Sequence, residues 1–246
     1  MDLGLKGKRA AVAAASTGLG FASAAALVEE GAKVVICGRD QDRIAAAAEK
    51  LGDAVTPLVA DVSSDAEARR FVDEAADTLG GLDILVPNAG GPPPGPPSST
   101  PIEAYRQAID LNLLSTIAMS QAAVEHMKPS GWGRIVAITS AGARSPIGFL
   151  AASSVARAGV TSFLKTLATE VAPDGITVNS AQPGLHATDR VQQLAAAGNL
   201  RKGIPTGTLG DPGDFGRVVT FLCSESAKFV TGTSLLVDGG QYTGLV

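Results

Sequence analysis

The feature that most constrains the fold of this chain is a regular alternation of short apolar runs with longer amphipathic segments. Seven runs rich in Val, Ile, Leu and Ala begin at Ala10, Val34, Thr56, Asp83, Arg134, Ile176 and Ser234. The runs are continuously apolar, which is typical of strands covered on both faces of a sheet. A strand followed by a helix, repeated along a chain, predicts parallel pairing. We therefore expect an α/β fold with a doubly wound parallel sheet of about seven strands and helices on both faces.

The six segments between these runs predict helices. Their expected bounds are 18–30, 40–51, 65–80, 101–127, 153–172 and 211–223. In Rossmann-type sheets of this kind, ligands bind beyond the carboxyl ends of the strands. Residues that bind or react are therefore expected directly after each apolar run.

Length and composition favour one domain with a large core. The chain has 246 residues, 45% of them hydrophobic, and no tandem repeat or charged linker divides it. Because α/β domains often reach about 250 residues, residues 1–246 are predicted to form a single unit. The formal charge is −4 and no block of Lys or Arg is dense. This balance predicts no nucleic-acid partner.

Other features bear on membranes, metals and the compartment. The apolar runs are well short of the roughly 20 residues that cross a bilayer, and no export signal is visible. Cys37 and Cys223 lie in apolar stretches, and His126 and His186 are far apart in sequence. This pattern predicts neither a disulfide framework nor a metal site. We expect no membrane partner and a reducing, cytoplasmic location.

One biased segment follows the fourth run. Residues 90–100 read GGPPPGPPSST, and the five prolines prevent a regular helix or a paired strand. Two interpretations are open. The segment is either a stiff connector to the helix entered at Pro101, with Thr100 as N-cap, or a rigid wall beside a bound ligand.

The loop between the first strand and the first helix has the composition of a phosphate-binding turn. It reads AASTGLG and leads directly into the helix FASAAALVEEGA. Small residues let the backbone approach a pyrophosphate, and the free N–H groups at the helix start hold its charge. The residues predicted to contact a dinucleotide here are Ala14, Ser16, Thr17, Gly18, Leu19 and Gly20. The alternative is a tight turn that only packs the helix closely.

Taken with this loop, the chain resembles the short-chain dehydrogenase/reductase family from end to end. The family's first loop reads Thr-Gly-x-x-x-Gly-x-Gly, and its fixed positions fall on Ala13, Ala14, Gly18 and Gly20, so that the first glycine is missing. The stretch Asn88, Ala89 and Gly90 matches three quarters of the family's Asn-Asn-Ala-Gly signature, with Pro87 in place of the leading Asn.

Further matches imply contacts with a nicotinamide dinucleotide. Asp61 and Val62 fall where family members meet the adenine ring. The residues that match the loop meeting the nicotinamide carboxamide are Pro183, Gly184 and Thr188. The resemblance implies a homo-oligomer, either tetramer or dimer, because the family forms tetramers through surfaces similar to the helix over 101–127, the helix from Ser153 and the final strand within 231–240.

The end of the second strand bears on the choice of cofactor. An acid there would bind the ribose hydroxyls of NAD, but this chain has Gly38 followed by Arg39, and a guanidinium suits a 2′-phosphate. NADP(H) is therefore favoured, with NAD(H) as the second possibility. The competing interpretation makes Arg39 a solvated charge paired with Asp40 or Asp42.

The resemblance also locates a reaction centre. Asn112 and Ser140 match the asparagine and serine of the family's catalytic tetrad, whereas the positions of its Tyr-x-x-x-Lys pair fall on Ser153 and Arg157. An aliphatic hydroxyl is far too weak an acid to replace tyrosine. Arg157 lies on the same helix face as Ser153. It is interpreted either as a contact to the nicotinamide ribose or as an anion-pairing or packing residue.

Few substitutes for the missing acid are present. His186 lies in the Pro-Gly loop and is either catalytic or simply solvated. The only tyrosines, Tyr105 and Tyr242, lie outside the catalytic helix. Arg144 follows the fifth strand and is interpreted as a group that polarises a carbonyl or binds an acidic substrate, or as a surface charge.

Three functions are open on the sequence. The first is an NADP-linked oxidoreductase similar to the β-ketoacyl-carrier-protein reductase branch, which interconverts carbonyl and hydroxyl groups on a β-ketoacyl thioester or similar ketone with reduced or atypical catalysis. The second is a dinucleotide-binding relative without hydride transfer, acting as a sensor or subunit partner. The third is a lyase or isomerase, for which the sequence offers no evident base.

Overall fold

The computed structural model describes residues 2–195 and 203–245, except for the side chains of 193–195. Within these residues one parallel sheet has the strand order β3-β2-β1-β4-β5-β6-β7. Its strands are β1 (Arg9–Val12), β2 (Lys33–Gly38), β3 (Val55–Val59), β4 (Ile84–Val86), β5 (Gly133–Ile138), β6 (Ile176–Pro183) and β7 (Ser234–Val237). The predicted doubly wound sheet is confirmed.

Helices connect the strands as expected. They are α1 (Gly18–Glu29), α2 (Gln41–Leu51), α3 (Asp65–Leu79), α4 (Ile102–Ala108), α5 (Ser115–Met127), α6 (Ala151–Val171), α7 (Asp189–Ala195) and α8 (Pro212–Leu222). The helix predicted over 101–127 is α4 and α5 joined by a π-helical segment, Ile109–Leu114. Helix α7 was not predicted, because seven residues are too few to show a helical period.

Two apolar clusters fill the faces of the sheet. One contains side chains of α3, α5 and α6, and the other contains side chains of α1, α2 and α8. Along β1, Ala11 belongs to the first cluster, while Ala10 and Val12 belong to the second. This alternation puts both faces of the strand in the core, which explains its continuously apolar sequence.

Polar side chains set several helix starts. Asp40 accepts a hydrogen bond from Arg43 N at 2.9 Å and so caps α2. The expected cap of α4 by Thr100 was wrong, because Pro101 occupies the N-cap position. The Thr100 hydroxyl instead donates to Pro96 O at 2.7 Å, within the proline-rich segment.

The topology positions the site. The chain crosses from β3 to β4 on the far side of β1, so β1 and β4 are neighbours at the point where the strand order reverses. Loops leaving strands on the two sides of such a point diverge and open a crevice at the carboxyl edge of the sheet. No described helix combines the length and the apolar character needed to cross a membrane.

Candidate functional site

The loop after β1 has an unusual backbone at Ala14. Its φ is +47°, and Ala14 is the sole non-glycine residue with positive φ in the described part of the chain. Its carbonyl oxygen accepts a hydrogen bond from Asn88 Nδ2 at 3.2 Å. A Cβ at Gly20 would lie 2.7 Å from each of these two atoms. Because glycine has no Cβ, the first turn of α1 can pack directly against the hydrogen bond between Asn88 and Ala14.

The start of α1 is open to an anion. Thr17 is the N-cap residue but its side chain makes no capping hydrogen bond. The N–H groups of the first turn of a helix lack partners within the helix and carry the positive end of its dipole. Gly18 has φ +65°, and a Cβ built on it would lie 3.8 Å from the methyl group of Thr188. The structure thus brings the β6 loop against the predicted phosphate turn.

The segment 88–90 after β4 is held by three different elements. Asn88 binds the β1 loop, as described above, and Gly90 O accepts from Asn112 Nδ2 at 3.0 Å. Ala89 O accepts from Arg157 Nη2 at 3.5 Å. Asn112 lies in the π-helical segment and is fully buried. The predicted dinucleotide loop and two predicted tetrad residues therefore meet on this tripeptide.

Ser140 lies two residues after the end of β5. Its Oγ accepts a hydrogen bond from Gly142 N at 3.0 Å, which leaves the hydroxyl proton available to a ligand. A Cβ at Gly142 would lie 3.2 Å from Ser140 Oγ and 3.3 Å from Ser154 Oγ, so Ser140 is close to the first turn of α6. Ser153, in that turn, is half-buried, and its hydroxyl makes no hydrogen bond to a described residue.

Arg157 is 6% exposed and points into the protein. Nη1 donates to Ile138 O at 2.9 Å and Nη2 to Ala89 O, whereas Nε has no hydrogen-bond partner among the described residues. Burial lowers the pKa of this guanidinium to about 10. No described carboxylate pairs with it. Anion pairing is therefore not seen, and backbone carbonyls are its partners in the structure.

His186 is buried rather than solvated, with 4% exposure. Its ring meets Phe215 edge-on with centroids 5.1 Å apart, and Nδ1 lies 3.3 Å from Gly184 O. Burial lowers the pKa of this imidazole, more than the neighbouring Gly184 carbonyl and Asp211 raise it. A neutral, packed imidazole is a poor proton donor near neutral pH.

The adenosine end of the predicted site lies after β2 and β3. Arg39 is exposed and forms no ion pair with a described residue, so the interpretation of a charge paired with Asp40 or Asp42 is not seen. Asp61 Oδ1 accepts from Ser63 N at 3.0 Å, and its neighbour Val62 is 5% exposed. A cavity of about 380 Å³ lies between α1 and α2, lined by Ser16, Thr17, Gly18, Phe21, Arg43, Ala46, Ala47 and Lys50.

The proline-rich segment 90–100 is fastened on both sides. Gly95 N donates to Phe149 O at 2.7 Å, just before α6, and Arg190 Nη2 donates to Pro92 O at 2.8 Å. These contacts restrain the segment and fit a stiff connector as well as a wall beside a ligand, so both interpretations stay open. Arg190 belongs to α7, so sequence reasoning missed it together with that helix.

The remaining candidates have structural partners. Arg144 donates to Ser234 O at 3.2 Å and lies over the Tyr242 ring, 5.6 Å from its centroid. Tyr105 packs against Ala152 and Ala156 of α6. Within the part of the chain that the structure describes, no three His, Cys, Asp or Glu side chains gather as metal ligands.

Known proteins with similar sequences match nearly the whole chain. A sequence profile of the enoyl-(acyl carrier protein) reductase family matches residues 13–242. Dehydrogenase/reductase SDR family member 4 of Sus scrofa is 34% identical, over 96% of this chain and 88% of that protein. The 3-oxoacyl-acyl-carrier-protein reductase FabG of Vibrio cholerae is 34% identical, over 98% of this chain and 99% of that protein.

Solved structures superimpose closely on the fold. L-sorbose reductase from Gluconobacter frateurii, complexed with NADPH and L-sorbose, has a TM-score of 0.93 at 30% identity and covers 100% of each chain. YwfH, an NADPH-dependent reductase involved in bacilysin biosynthesis, has a TM-score of 0.93 at 27% identity, over 98% of this chain and 100% of that one. The profile match and the relatives together show that this chain belongs to the short-chain dehydrogenase/reductase family.

Proposed function

We propose that this chain binds NADP(H) and interconverts carbonyl and hydroxyl groups on a β-ketoacyl thioester or similar small ketone, with atypical catalysis. The observation that carries the proposal is the meeting of the β1 loop, the segment 88–90 and Asn112 at the carboxyl edge of the sheet. The NADPH named for two of the similar structures supports the cofactor.

The chain's own residues fit a phosphorylated dinucleotide. The start of α1 lacks a side-chain cap, and a Cβ at Gly90 would meet nothing within 4 Å, so space is open above the tripeptide. The residues proposed to line the cofactor are Ala14, Ser16, Thr17, Gly18, Leu19, Gly20, Arg39, Asp61, Val62, Asn88, Ala89, Gly90, Pro183, Gly184 and Thr188.

The preference for NADP(H) over NAD(H) follows from the end of β2. The acid closest to this end, Asp40, is engaged as the N-cap of α2, so its carboxylate is directed at Arg43 N. Arg39 is exposed beside it, and Arg43 lines the adjoining cavity. Cations without a competing carboxylate favour a 2′-phosphate over free ribose hydroxyls.

NADPH supplies a hydride when bound, and the chain positions the carbonyl compound that receives it. Ser140 donates its hydroxyl proton as a hydrogen bond to the carbonyl oxygen, and Ser153 adds a second polar contact. Each hydroxyl is a far weaker acid than a tyrosine phenol, so neither replaces the family's general acid. Because His186 is buried and neutral, we propose that the proton on the product alcohol comes from solvent water, directly or through a serine hydroxyl, without a dedicated general acid, which makes the reaction slow.

The second candidate function is dinucleotide binding without hydride transfer. The direction of Arg157 favours it, since that side chain binds Ile138 O and Ala89 O in the interior. A protein of this kind would act as a sensor or as a subunit partner of an active relative.

We further propose a homo-oligomer. The edge strand β7 has no fully buried residue, unlike the core strands, and Leu235 on it is 38% exposed. Phe229, just before it, is 100% exposed and Phe221 is 40% exposed. Exposed apolar side chains on an edge strand and in the chain that leads into it fit a contact with a second copy of the chain. The buried thiols Cys37 and Cys223 are compatible with the cytoplasmic location that we propose.

A titration tests the function. NADPH and NADH are added to the purified protein while nucleotide fluorescence is followed, and NADPH oxidation is then measured with β-ketoacyl thioesters, ketones and aldehydes. We expect saturable binding with NADPH preferred and slow turnover of at least one ketone. Tight NADPH binding with zero turnover throughout the panel would favour the non-catalytic function. No saturable binding up to millimolar nucleotide would contradict both.

A further inference from the structure

We propose that Arg157 is a positioning residue that sets the shape of the dinucleotide loop through the segment 88–90, without touching the cofactor. The inference rests on the proposed NADP(H) binding and deepens it. It assigns the cation at the family's lysine position to the protein interior.

The first step is the contact set of Arg157. One nitrogen of its fork, Nη1, binds Ile138 O, the last carbonyl of β5, and Nη2 reaches Ala89 O beyond the end of β4. A planar guanidinium spans two carbonyl groups at once, whereas an ammonium is a compact point charge. Arg157 therefore ties α6 to the carboxyl ends of β4 and β5.

The second step runs from Ala89 to the β1 loop. The residue next to Ala89 is Asn88, whose amide binds Ala14 O. Ala14 has the positive φ, and Gly20 leaves no room beside the bonded pair. A shift of Ala89 therefore moves Asn88. Because the β1 loop is packed tightly around its hydrogen bond with Asn88, the movement of Asn88 changes the shape of that loop.

The third step compares this role with a direct contact to the nicotinamide ribose. Arg157 is 6% exposed, and both terminal nitrogens already bind backbone carbonyls. The neighbouring carbonyl oxygen, Gly90 O, already accepts a hydrogen bond from Asn112. A ribose contact requires the guanidinium to leave these partners and uncover itself, while the positioning role needs no movement.

The two roles predict different losses of affinity. A ribose contact is made only with ligands that contain the nicotinamide ribose. The shape of the β1 loop affects every ligand that uses the adenosine half of the site. Adenosine 2′,5′-bisphosphate has that half and no nicotinamide ribose, so it is the probe that separates the roles.

The test measures dissociation constants of NADPH and adenosine 2′,5′-bisphosphate by calorimetry with wild type, Arg157→Met and Arg157→Lys. We expect Arg157→Met to weaken both ligands by the same factor, about tenfold, within the range usual for coupled sites. Arg157→Lys keeps the charge and one carbonyl contact, so its losses should be smaller and again equal. A loss confined to NADPH would overturn the proposal in favour of a ribose contact, and unchanged affinities for both would overturn it altogether.

Thr161→Val is the matched control on the same helix. Its hydroxyl donates to Arg157 O and accepts from Gln182 Nε2, so the change perturbs α6 one turn away without touching 88–90. Both affinities should stay at the wild-type value. Equal losses in this variant would show that general loosening of α6 is the cause and would contradict the proposal.

A double-mutant cycle carries the test if Arg157→Met does not fold. Arg157→Lys and Asn88→Ala interrupt the same path at different links, so their effects on the bisphosphate should be less than additive. Fully additive losses would mean that Arg157 and Asn88 affect the binding of the bisphosphate independently, and this would overturn the proposal. If wild type binds neither ligand, the proposed function fails, which differs from every outcome above.

Discussion

Asn88 donates from its side-chain amide to the carbonyl oxygen of Ala14, 3.2 Å away, and joins the loops that leave β4 and β1. The bonded alanine has φ +47°, in the region that favours glycine. Strain of this kind costs about 1–3 kcal/mol and persists when neighbouring contacts determine the conformation. The hydrogen bond from Asn88 is one such contact, so the family's missing glycine is compensated here by tertiary structure.

Ala14→Gly should stabilise the protein. Glycine adopts positive φ without steric cost, so relief of the strain should raise the free energy of unfolding by about 1 kcal/mol. Glycine also gives the unfolded chain more entropy, which offsets part of this gain. Urea unfolding followed by fluorescence of Trp132, the single tryptophan, measures the change. The matched control Ala46→Gly, on the exposed side of α2, should destabilise by about 1 kcal/mol. A lower free energy of unfolding in Ala14→Gly would contradict the inference that the backbone at Ala14 is strained.

Arg39→Ala should remove the preference for NADPH. The exposed guanidinium is proposed to meet the 2′-phosphate, so the dissociation constant of NADPH should rise while that of NADH stays unchanged. Competitive titration of the two nucleotides gives the ratio. Arg106→Ala, an exposed arginine paired with Glu103 on α4, is the charge-matched control and should leave the ratio at its wild-type value. An unaltered ratio in Arg39→Ala would place the phosphate elsewhere.

Ser153→Tyr should raise the rate of ketone reduction. General acid catalysis is typically worth about 10²–10⁴-fold, and this substitution supplies a phenol while keeping the contacts of Arg157. We expect a higher kcat with little change in NADPH affinity, measured as NADPH oxidation with a saturating ketone. Val155→Tyr, at an exposed position of the same helix, should bring no gain. Equal rates in both variants would show that position 153 does not face the substrate.

Ser140→Ala should remove the polar anchor of the carbonyl oxygen. We expect kcat/KM for a ketone to fall at least tenfold, while NADPH binding stays within twofold, since a hydrogen bond to a developing charge is worth about 1.5–3 kcal/mol. The residual turnover should be unaffected by adding His186→Ala, provided that this variant folds. Unchanged kcat/KM in Ser140→Ala would exclude the assigned role.

Stability should fall in mild acid because of His186. Burial lowers the pKa of this imidazole below its ordinary value near 6.5, so the unfolded chain binds the proton more strongly than the folded protein. The free energy of unfolding should therefore decrease as the pH drops below about 6.5. His186→Gln removes the titrating ring, so its unfolding free energy should change less between pH 7.5 and 5.5, although it starts lower at pH 7.5 because the contact with Phe215 is lost. His126→Gln, on α5, is the control, and its free energy of unfolding should fall with pH as much as that of wild type. An equal fall with pH in wild type and His186→Gln would contradict the assignment to His186.

Much of the fold was predictable because the signals are local. Apolar runs covered on both faces identify β1, β4 and β5, and the glycines at 18 and 20 mark the turn into α1. Local composition also separated segment 90–100 from regular structure. The positions of Asn112, Ser140, Ser153 and Arg157 came from the resemblance to a family, and their roles are still predictions.

The sequence by itself determined the order of the seven strands, most of the helices between them, the edge of the sheet where polar residues gather, and the residue types present there. Only the tertiary structure decided which atoms meet. Arg157 binds Ala89, 68 residues away, and Ile138, 19 residues away, and a lone histidine in a loop is packed against Phe215. Such contacts depend on how separate elements pack, and backbone carbonyls, which every residue carries, leave no trace in the sequence to show which side chain will bind them.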